Sequence, residues 1–232
     1  PNSWTEFLFD NTRGASNPFA QRLAIEALGR IEADSKYKVQ RLLQTPHRSP
    51  YHRTLEHSLI YALIEINDPA ATRAGLTNFF SQRIALIALD QMESGNLKAE
   101  EALPFLKTID KEQREAAVWV AGHHPEWGGA LAGFFRERLA ADLKEADRVE
   151  LENQLAQFSS SAPVQQLFVE SLNASGLPTA TRQLLLRLMA QPGLKDAPAG
   201  WADAIRAVLE QKDDTLVRAA IPAARALAHA KN

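Results

Sequence analysis

Between Tyr51 and Asp68 the chain reads YHRTLEHSLIYALIEIND. Wound as a helix, this stretch stacks Leu55, Leu59, Ala62, Leu63 and Ile66 on one face, because those positions follow the three-to-four-residue helical period. A second apolar strip, Ile60 and Ile64, runs down the opposite side beneath Arg53 and His57. A helix apolar on two sides is predicted to be a buried layer rather than a surface lid. Asp68-Pro69 is predicted to end it, since the residue before proline is pushed out of helical geometry.

Similar patterns fill the rest of the chain, while sustained period-two alternation and Asn-Gly or Asp-Gly hairpin turns are missing from the sequence. Trp4–Phe9 reads as the tail of a helix begun earlier, in a chain expected to be a piece of something longer. Asn17-Pro18 caps a helix over Phe19–Ala33 with Leu23, Ala27, Leu28 and Ile31 inward. Asp34-Ser35 caps a shorter one to about Gln44, and Thr45–Pro50 is a loop. Pro69 opens a short helix to about Thr77, followed by Phe79–Met92, which Ser94-Gly95-Asn96 terminates. Leu97–Thr108 contains Pro104 as a kink, Asp110 caps Lys111–Gly122, and His123–Gly129 is a tight turn. Further helices are expected at Ala130–Ala141, Asp147–Phe158, Pro163–Leu172, Pro178–Ala190, Ala199–Lys212 and Asp214–Ala230, with a loop at Gln191–Pro198.

The long helices share a register. A basic residue sits in the first turn of each: Arg22, His57, Arg83, Arg114, Arg148, Arg182 and Arg218, at successive separations of 35, 26, 31, 34, 34 and 36 residues. Two residues on comes a small or aliphatic side chain (Ala24, Leu59, Ala85, Ala116, Leu184, Ala220), with Glu150 the exception. Later in three of these helices stand Ala27-Leu28, Ala62-Leu63 and Ala88-Leu89, where the small residue permits close helix approach. A period in the low thirties with two helices per unit is the signature of an α-solenoid, in which each unit hides its apolar faces only against its neighbours. The expected fold class is therefore all-α: a right-handed α-solenoid spanning 1–232 as a single repeat domain of about six to seven helix pairs.

Composition narrows the functional classes. Hydrophobic residues are 45% and charged residues 23%, ordinary for a globular chain and wrong for a disordered one. A net charge of −2 gives no global pull toward nucleic acid or anionic lipid. The absence of cysteine excludes disulfides, thiolate metal sites, a cysteine nucleophile and covalent haem attachment within this segment. No apolar run approaches the ~18 residues of a membrane span.

The basic column has two readings. In a stack, each arginine bonds a carboxylate or helix-end carbonyl of an adjoining unit; alternatively the column is an anion-binding stripe. The first is preferred, because stacking makes a charged partner obligatory and the net charge is slightly negative. Asp110/Arg114 and Asp214/Arg218 share a four-residue spacing that fits a cap and ladder within one helix. His57 would need partner ligands to hold a metal, but His52 and His47 precede it at five-residue steps, which is not a same-face helical spacing. His123-His124-Pro125-Glu126-Trp127 reads as a loop with Trp127 tucked beneath it, in preference to a catalytic or metal site. Trp4, Trp119, Trp127 and Trp201 read as core or interface packing. No phosphate loop, nucleophile elbow or paired catalytic carboxylates stand out. The expectation is no catalytic residue, no metal and no cofactor in this segment.

Asp214–Leu227 (DTLVRAAIPAARAL) resembles a HEAT repeat in its Asp, its Val-Arg and its Ala-x-x-Ala, and Ala24–Ile31 (AIEALGRI) resembles the later half of the same helix. More specifically, Arg53–Glu65 (RTLEHSLIYALIE), Arg83–Met92 (RIALIALDQM) and Arg114–Trp127 (REAAVWVAGHHPEW), in that order, resemble the helical-repeat region of large haem-binding proteins of the Planctomycetes–Verrucomicrobia group, described as membrane-bound dehydrogenases. In that family the region lies between a β-propeller and a c-type cytochrome domain. This chain has neither propeller nor haem motif, so no catalytic or haem-binding residue carries over. The resemblance implies an extracytoplasmic scaffold and interaction domain of a redox parent protein, binding other domains of that parent or another protein, with no nucleic acid partner and no direct membrane insertion. Lys36, Lys38, Arg41, Arg73, Arg136 and Arg138, on the short helices, are the candidate partner contacts. The rival readings are a free-standing cytoplasmic HEAT-like adaptor, a HEAT-like DNA glycosylase and a metal-dependent helical-repeat hydroxylase. The glycosylase is disfavoured by 26 basic against 28 acidic residues, and the hydroxylase by missing His-Glu pairs.

Overall fold

A computed structural model describes residues 3–14, 17–46, 53–191 and 196–230. Among them there is no strand, and the chain is all-α. The helices are α1 (Ser3–Gly14), α2 (Pro18–Arg30), α3 (Ser35–Leu43), α4 (Arg53–Ile66), α5 (Pro69–Arg73), α6 (Gln82–Gln91), α7 (Ala99–Leu106), α8 (Lys111–Gly122), α9 (Gly128–Ala140), α10 (Glu145–Gln157), α11 (Ala162–Asn173), α12 (Thr179–Met189), α13 (Trp201–Leu209) and α14 (Asp214–His229). Short 3₁₀ turns stand at Ala74–Thr77 and Pro125–Trp127. No helix is long and apolar enough to cross a membrane among the described residues. The chain divides into two compact units, Pro1–Val120 and Ala121–Asn232.

Several helix starts are set by side-chain caps. The Asn17 side chain accepts from the Phe19 N–H at 2.9 Å, Asp34 from Tyr37 at 2.7 Å, Asp68 from Ala71 at 3.0 Å and Asp110 from Gln113 at 2.9 Å. Each satisfies one of the orphan donors of a helix start. At the other end of α4, Asn67 takes a left-handed backbone (φ 51°), one residue ahead of the expected Asp68-Pro69 stop. The final helix corrects one expectation: Asp213, not Asp214, is the cap, accepting from Thr215 at 2.9 Å and Leu216 at 3.2 Å. α6 starts at Gln82 instead of Phe79, and both Phe79 and Phe80 are exposed. The proposed loops Thr45–Pro50 and Gln191–Pro198 lie partly outside the described residues, as do Tyr51, His52 and His47.

In the first unit α1 packs on α2, α2 on α4 and α4 on α6, while α3 packs on α5 and α5 on α6. In the second, α9 packs on α11, α11 on α13, α10 on α12 and α12 on α14. Helices two apart in sequence are therefore neighbours in space within each unit. Polar bonds between helices and their caps repeat the period of the sequence. In the first unit the Ser58 hydroxyl donates to Glu26 at a separation of 32 residues, Ser35 to Asp68 at 33 and Arg30 to Glu65 at 35. In the second, Arg136 meets Glu170 at 34, Arg187 meets Glu152 at 35, and the Trp201 indole N–H donates to the Gln165 carbonyl at 36. Two shorter links, Ser94 to Asn67 at 27 and Arg73 to Glu101 at 28, match the short step in the basic column.

Buried faces differ in part from the amphipathic reading. α2 buries Ala24, Ile25, Leu28 and Gly29, whereas Leu23 is exposed and Ala27 and Ile31 are half-buried. Because α2 is covered by α1 and α4 together, its inward arc is broader than one stripe and rotated from the expected one. On α4 Leu55, Leu59, Ala62 and Leu63 of the expected face are buried, but Ile66 of that face, like Ile60 and Ile64, is only half-buried, and Tyr61 is exposed. α4 lies between α2 and α6, and Ile60 of its second strip lines a cleft. Gly29 and Ala62 let α2 and α4 touch: a Cβ on Gly29 would stand 3.1 Å from the Ala62 Cα. The second unit's core is aromatic, with Phe135 against Phe158 and Phe168 against Trp201 at ring separations of 5.5 and 6.1 Å.

Candidate functional site

The basic column does not form one kind of site. Arg83 of α6 pairs with Glu56 of α4. Arg114 donates to the Thr108 carbonyl at 2.9 Å and Arg148 to the Leu143 carbonyl at 2.6 Å, both just upstream of their own helices. Arg22 pairs within α2 with Glu26 at 3.3 Å and lies over the Phe19 ring. Arg182 is half-buried on α12. The two remaining positions, His57 and Arg218, are exposed, and each lines a groove between long helices.

His57 belongs to a cleft of about 490 Å³ in the first unit. α4 contributes Arg53, Glu56, His57 and Ile60; α6 contributes Arg83 and Ile87; α8 contributes Glu115, Ala116 and Trp119. Four-residue spacing puts Arg53 and His57 on one face of α4. Ile60, Ile87 and Ala116 give the cleft apolar lining, and Trp119, 48% exposed, presents an aromatic side chain to it. The Arg83–Glu56 pair crosses from α6 to α4. Glu115, on the α8 wall, is exposed and 3.6 Å from Lys111. The second unit has a more open groove, where Gln183 and Arg187 of α12 face Asp214, Thr215, Arg218 and Ala219 of α14.

The six expected contact residues meet different fates. Lys36 is exposed and lines a further groove, about 420 Å³, between α3 and the α5 region. Lys38 is buried instead of presented: its ammonium donates to the Ile31 carbonyl at 2.9 Å, and burial pushes its pKa below the ordinary lysine value. Arg41 lies over the rings of Phe9 and Tyr37 at 5.2 and 5.8 Å. Arg73 is held by Glu101 at 2.8 Å and by the Gly95 and Asn96 carbonyls at 2.8 and 3.1 Å, clamping the turn that leads into α7. Burial alone would raise the Glu101 pKa; the Arg73 bond and the Lys98 N–H overcome it and hold the carboxyl below its ordinary range. Arg136 remains exposed but bonds Glu170 at 2.9 Å, which lowers the Glu170 pKa. Arg138 is half-buried and reaches the Asp147 carbonyl at 3.4 Å.

The HHPEW turn matches its structural reading. Trp127 is buried, His124 stacks on it at 4.0 Å with the rings 5° from parallel, and Glu126 bonds the His124 ring at 2.7 Å. Trp201 is also buried, but Trp4 and Trp119 are largely exposed. Among the described residues no group of three or more His, Cys, Asp and Glu could hold a metal ion. His57 lies outside any such group, and His47 and His52 lie outside the described residues.

Sequence reasoning missed the cleft as a unit. Its signal was present: Ile60 and Ile87 follow the column positions His57 and Arg83 by about one helical turn. Those apolar residues were legible, but their convergence with Trp119 across three helices was not.

No family model matches the chain, and no curated protein matches it. Among solved structures, the chain is similar to a crystal structure of an engineered protein, with 13% identity, 97% of each chain covered and a TM-score of 0.33. A likeness at that score carries no argument for fold or function.

Proposed function

We propose that the protein is a right-handed α-solenoid of HEAT-like helix pairs, acting as a non-catalytic scaffold and interaction domain of a larger extracytoplasmic haem-binding oxidoreductase. The observation that carries the repeat reading is the recurrence of polar bonds between helices at separations of 32 to 36 residues in both units. A chain whose helices recur as neighbours about one repeat apart buries its faces by stacking. The redox parent and the extracytoplasmic setting come from the resemblance of Arg53–Glu65, Arg83–Met92 and Arg114–Trp127 alone. In this reading the domain holds other domains of the parent at a fixed separation and offers grooves to them.

Small-angle scattering tests the solenoid. A compact chain of 232 residues has a radius of gyration of roughly 17 Å. The solenoid reading expects a distinctly larger value with an elongated distance distribution, and a compact profile overturns it. For the scaffold role, purified propeller and cytochrome domains of the parent should bind the chain, and charge reversal at Lys36 and Arg136 should weaken that binding. Absence of binding to either domain removes the parent-protein reading.

A further inference from the structure

The α4–α6–α8 cleft carries unbalanced chemistry. Arg53 and His57 stand one turn apart on its rim, both exposed, and neither has an ion-pair or hydrogen-bond partner among the described residues. Arg83 and Glu56 pair across the cleft. Ile60, Ile87, Ala116 and Trp119 supply an apolar wall, and Glu115 places a carboxylate on the α8 side. The lining therefore suits an occupant that brings one negative group to the α4 rim and an apolar body to the isoleucines and tryptophan, while Glu115, 3.6 Å from Lys111, keeps acceptor capacity for a further donor. The space, about 490 Å³, suits one large side chain with its flanking backbone.

We propose that this cleft binds a peptide segment of a partner protein in which an aspartate or glutamate adjoins a large apolar residue. The peptide carboxylate bonds the Arg53 guanidinium and the His57 ring, with Arg53 supplying the planar donor fork suited to it. The apolar side chain covers Ile60 and Ile87 and packs on Trp119. A peptide N–H donates to Glu115, a contact that a simple organic acid lacks. Polyanions are disfavoured, because Glu56 and Glu115 line the same cleft and repel a run of phosphates. The inference rests on the reading of the chain as an interaction domain, but not on the identity of any parent enzyme.

Fluorescence anisotropy with a labelled peptide, acetyl-Ser-Gly-Asp-Phe-Gly-Ser-amide, reads the interaction directly. Saturable binding is expected, weakened about fivefold or more when the peptide Asp becomes Asn, when its Phe becomes Ala, or in the R53Q/H57Q double variant. Both substituted residues are exposed, so circular dichroism should show an unchanged helical fold, and K36Q, in a different groove, should bind as the unsubstituted chain does. Equal affinity for the Asp and Asn peptides, full binding by the double variant, or no saturation overturns the proposal. Equally tight binding of 3-phenylpropionate assigns the cleft to free organic acids instead, and tighter binding of an oligothymidylate overturns the argument from charge. Loss of peptide binding with an elongated scattering profile rejects this inference while leaving the solenoid intact.

Discussion

Gly29→Ala probes the contact on which the first unit's stacking depends. The new Cβ would meet Glu65 Oε2 at 2.8 Å, the Ala62 Cα at 3.1 Å and the Ala62 Cβ at 3.4 Å. The Glu65 carboxylate can swing aside, loosening an exposed ion pair with Arg30. The Ala62 backbone cannot, so α2 and α4 must part by a few tenths of an ångström where Ile25, Leu28, Leu59 and Leu63 are fully buried. Overpacking of this kind costs about 1–3 kcal/mol. Removing a helical glycine returns at most about 1 kcal/mol. The net expectation is a loss of about 1 kcal/mol. Gly133→Ala is the control, since it lies on an exposed face of α9 with nothing within 4 Å of the new Cβ. It should gain about 1 kcal/mol from helix propensity alone. The two variants should therefore differ by about 2 kcal/mol in urea unfolding, or by about 4–8 °C in Tm for a chain of this size. Hydrogen exchange should place the Gly29→Ala weakening in the amides of α2 and α4. If both variants stabilise equally, the α2–α4 backbones are not in contact and the stacking argument fails for this unit.

Two further outcomes test the local chemistry. Asp213→Ala should cost about 1 kcal/mol in chemical denaturation by removing the two bonds that open α14, while Asp214→Ala should stay within about 0.5 kcal/mol. Asp68 is held below its ordinary pKa by the Ser35 hydroxyl and then the Ala71 N–H, and Glu101 is also held low, so both carboxylates bind protons more weakly folded than unfolded. Their stabilisation is present above the unfolded pKa values and is lost as the pH falls below about 4 through the lower folded values. Ser35→Ala should flatten that acid-side decline in a pH series of thermal melts; an unchanged slope would show that the Ser35 bond does not set the Asp68 titration.

Helix existence was legible because caps and apolar spacing are local. Asn17-Pro18, Asp34-Ser35, Asp68-Pro69 and Asp110 mark starts that the folded chain uses, and the basic column announced a period that reappears in Ser58–Glu26 and Trp201–Gln165. Where two candidates compete, locality fails. Asp213 and Asp214 are both good caps, and the choice depends on where the chain enters the helix. The inward arc of α2 also escaped the sequence, because α1 and α4 cover it from two sides.

Site chemistry was less legible still. Lys38, Arg41 and Arg73 look alike on paper as surface cations, yet one is buried and reaches a backbone carbonyl, one lies over two rings and one clamps a turn. A long basic side chain can reach several partners, so its role depends on which carbonyl, ring or carboxylate the packed helices bring within reach. By itself the sequence determined the all-helical class and the helix starts at Asn17, Asp34, Asp68 and Asp110, since these rest on backbone chemistry within a few residues. Only the tertiary structure decided which faces are covered and that Arg53, His57, Ile60, Ile87 and Trp119 share a cleft, because that grouping depends on the packing of α4, α6 and α8.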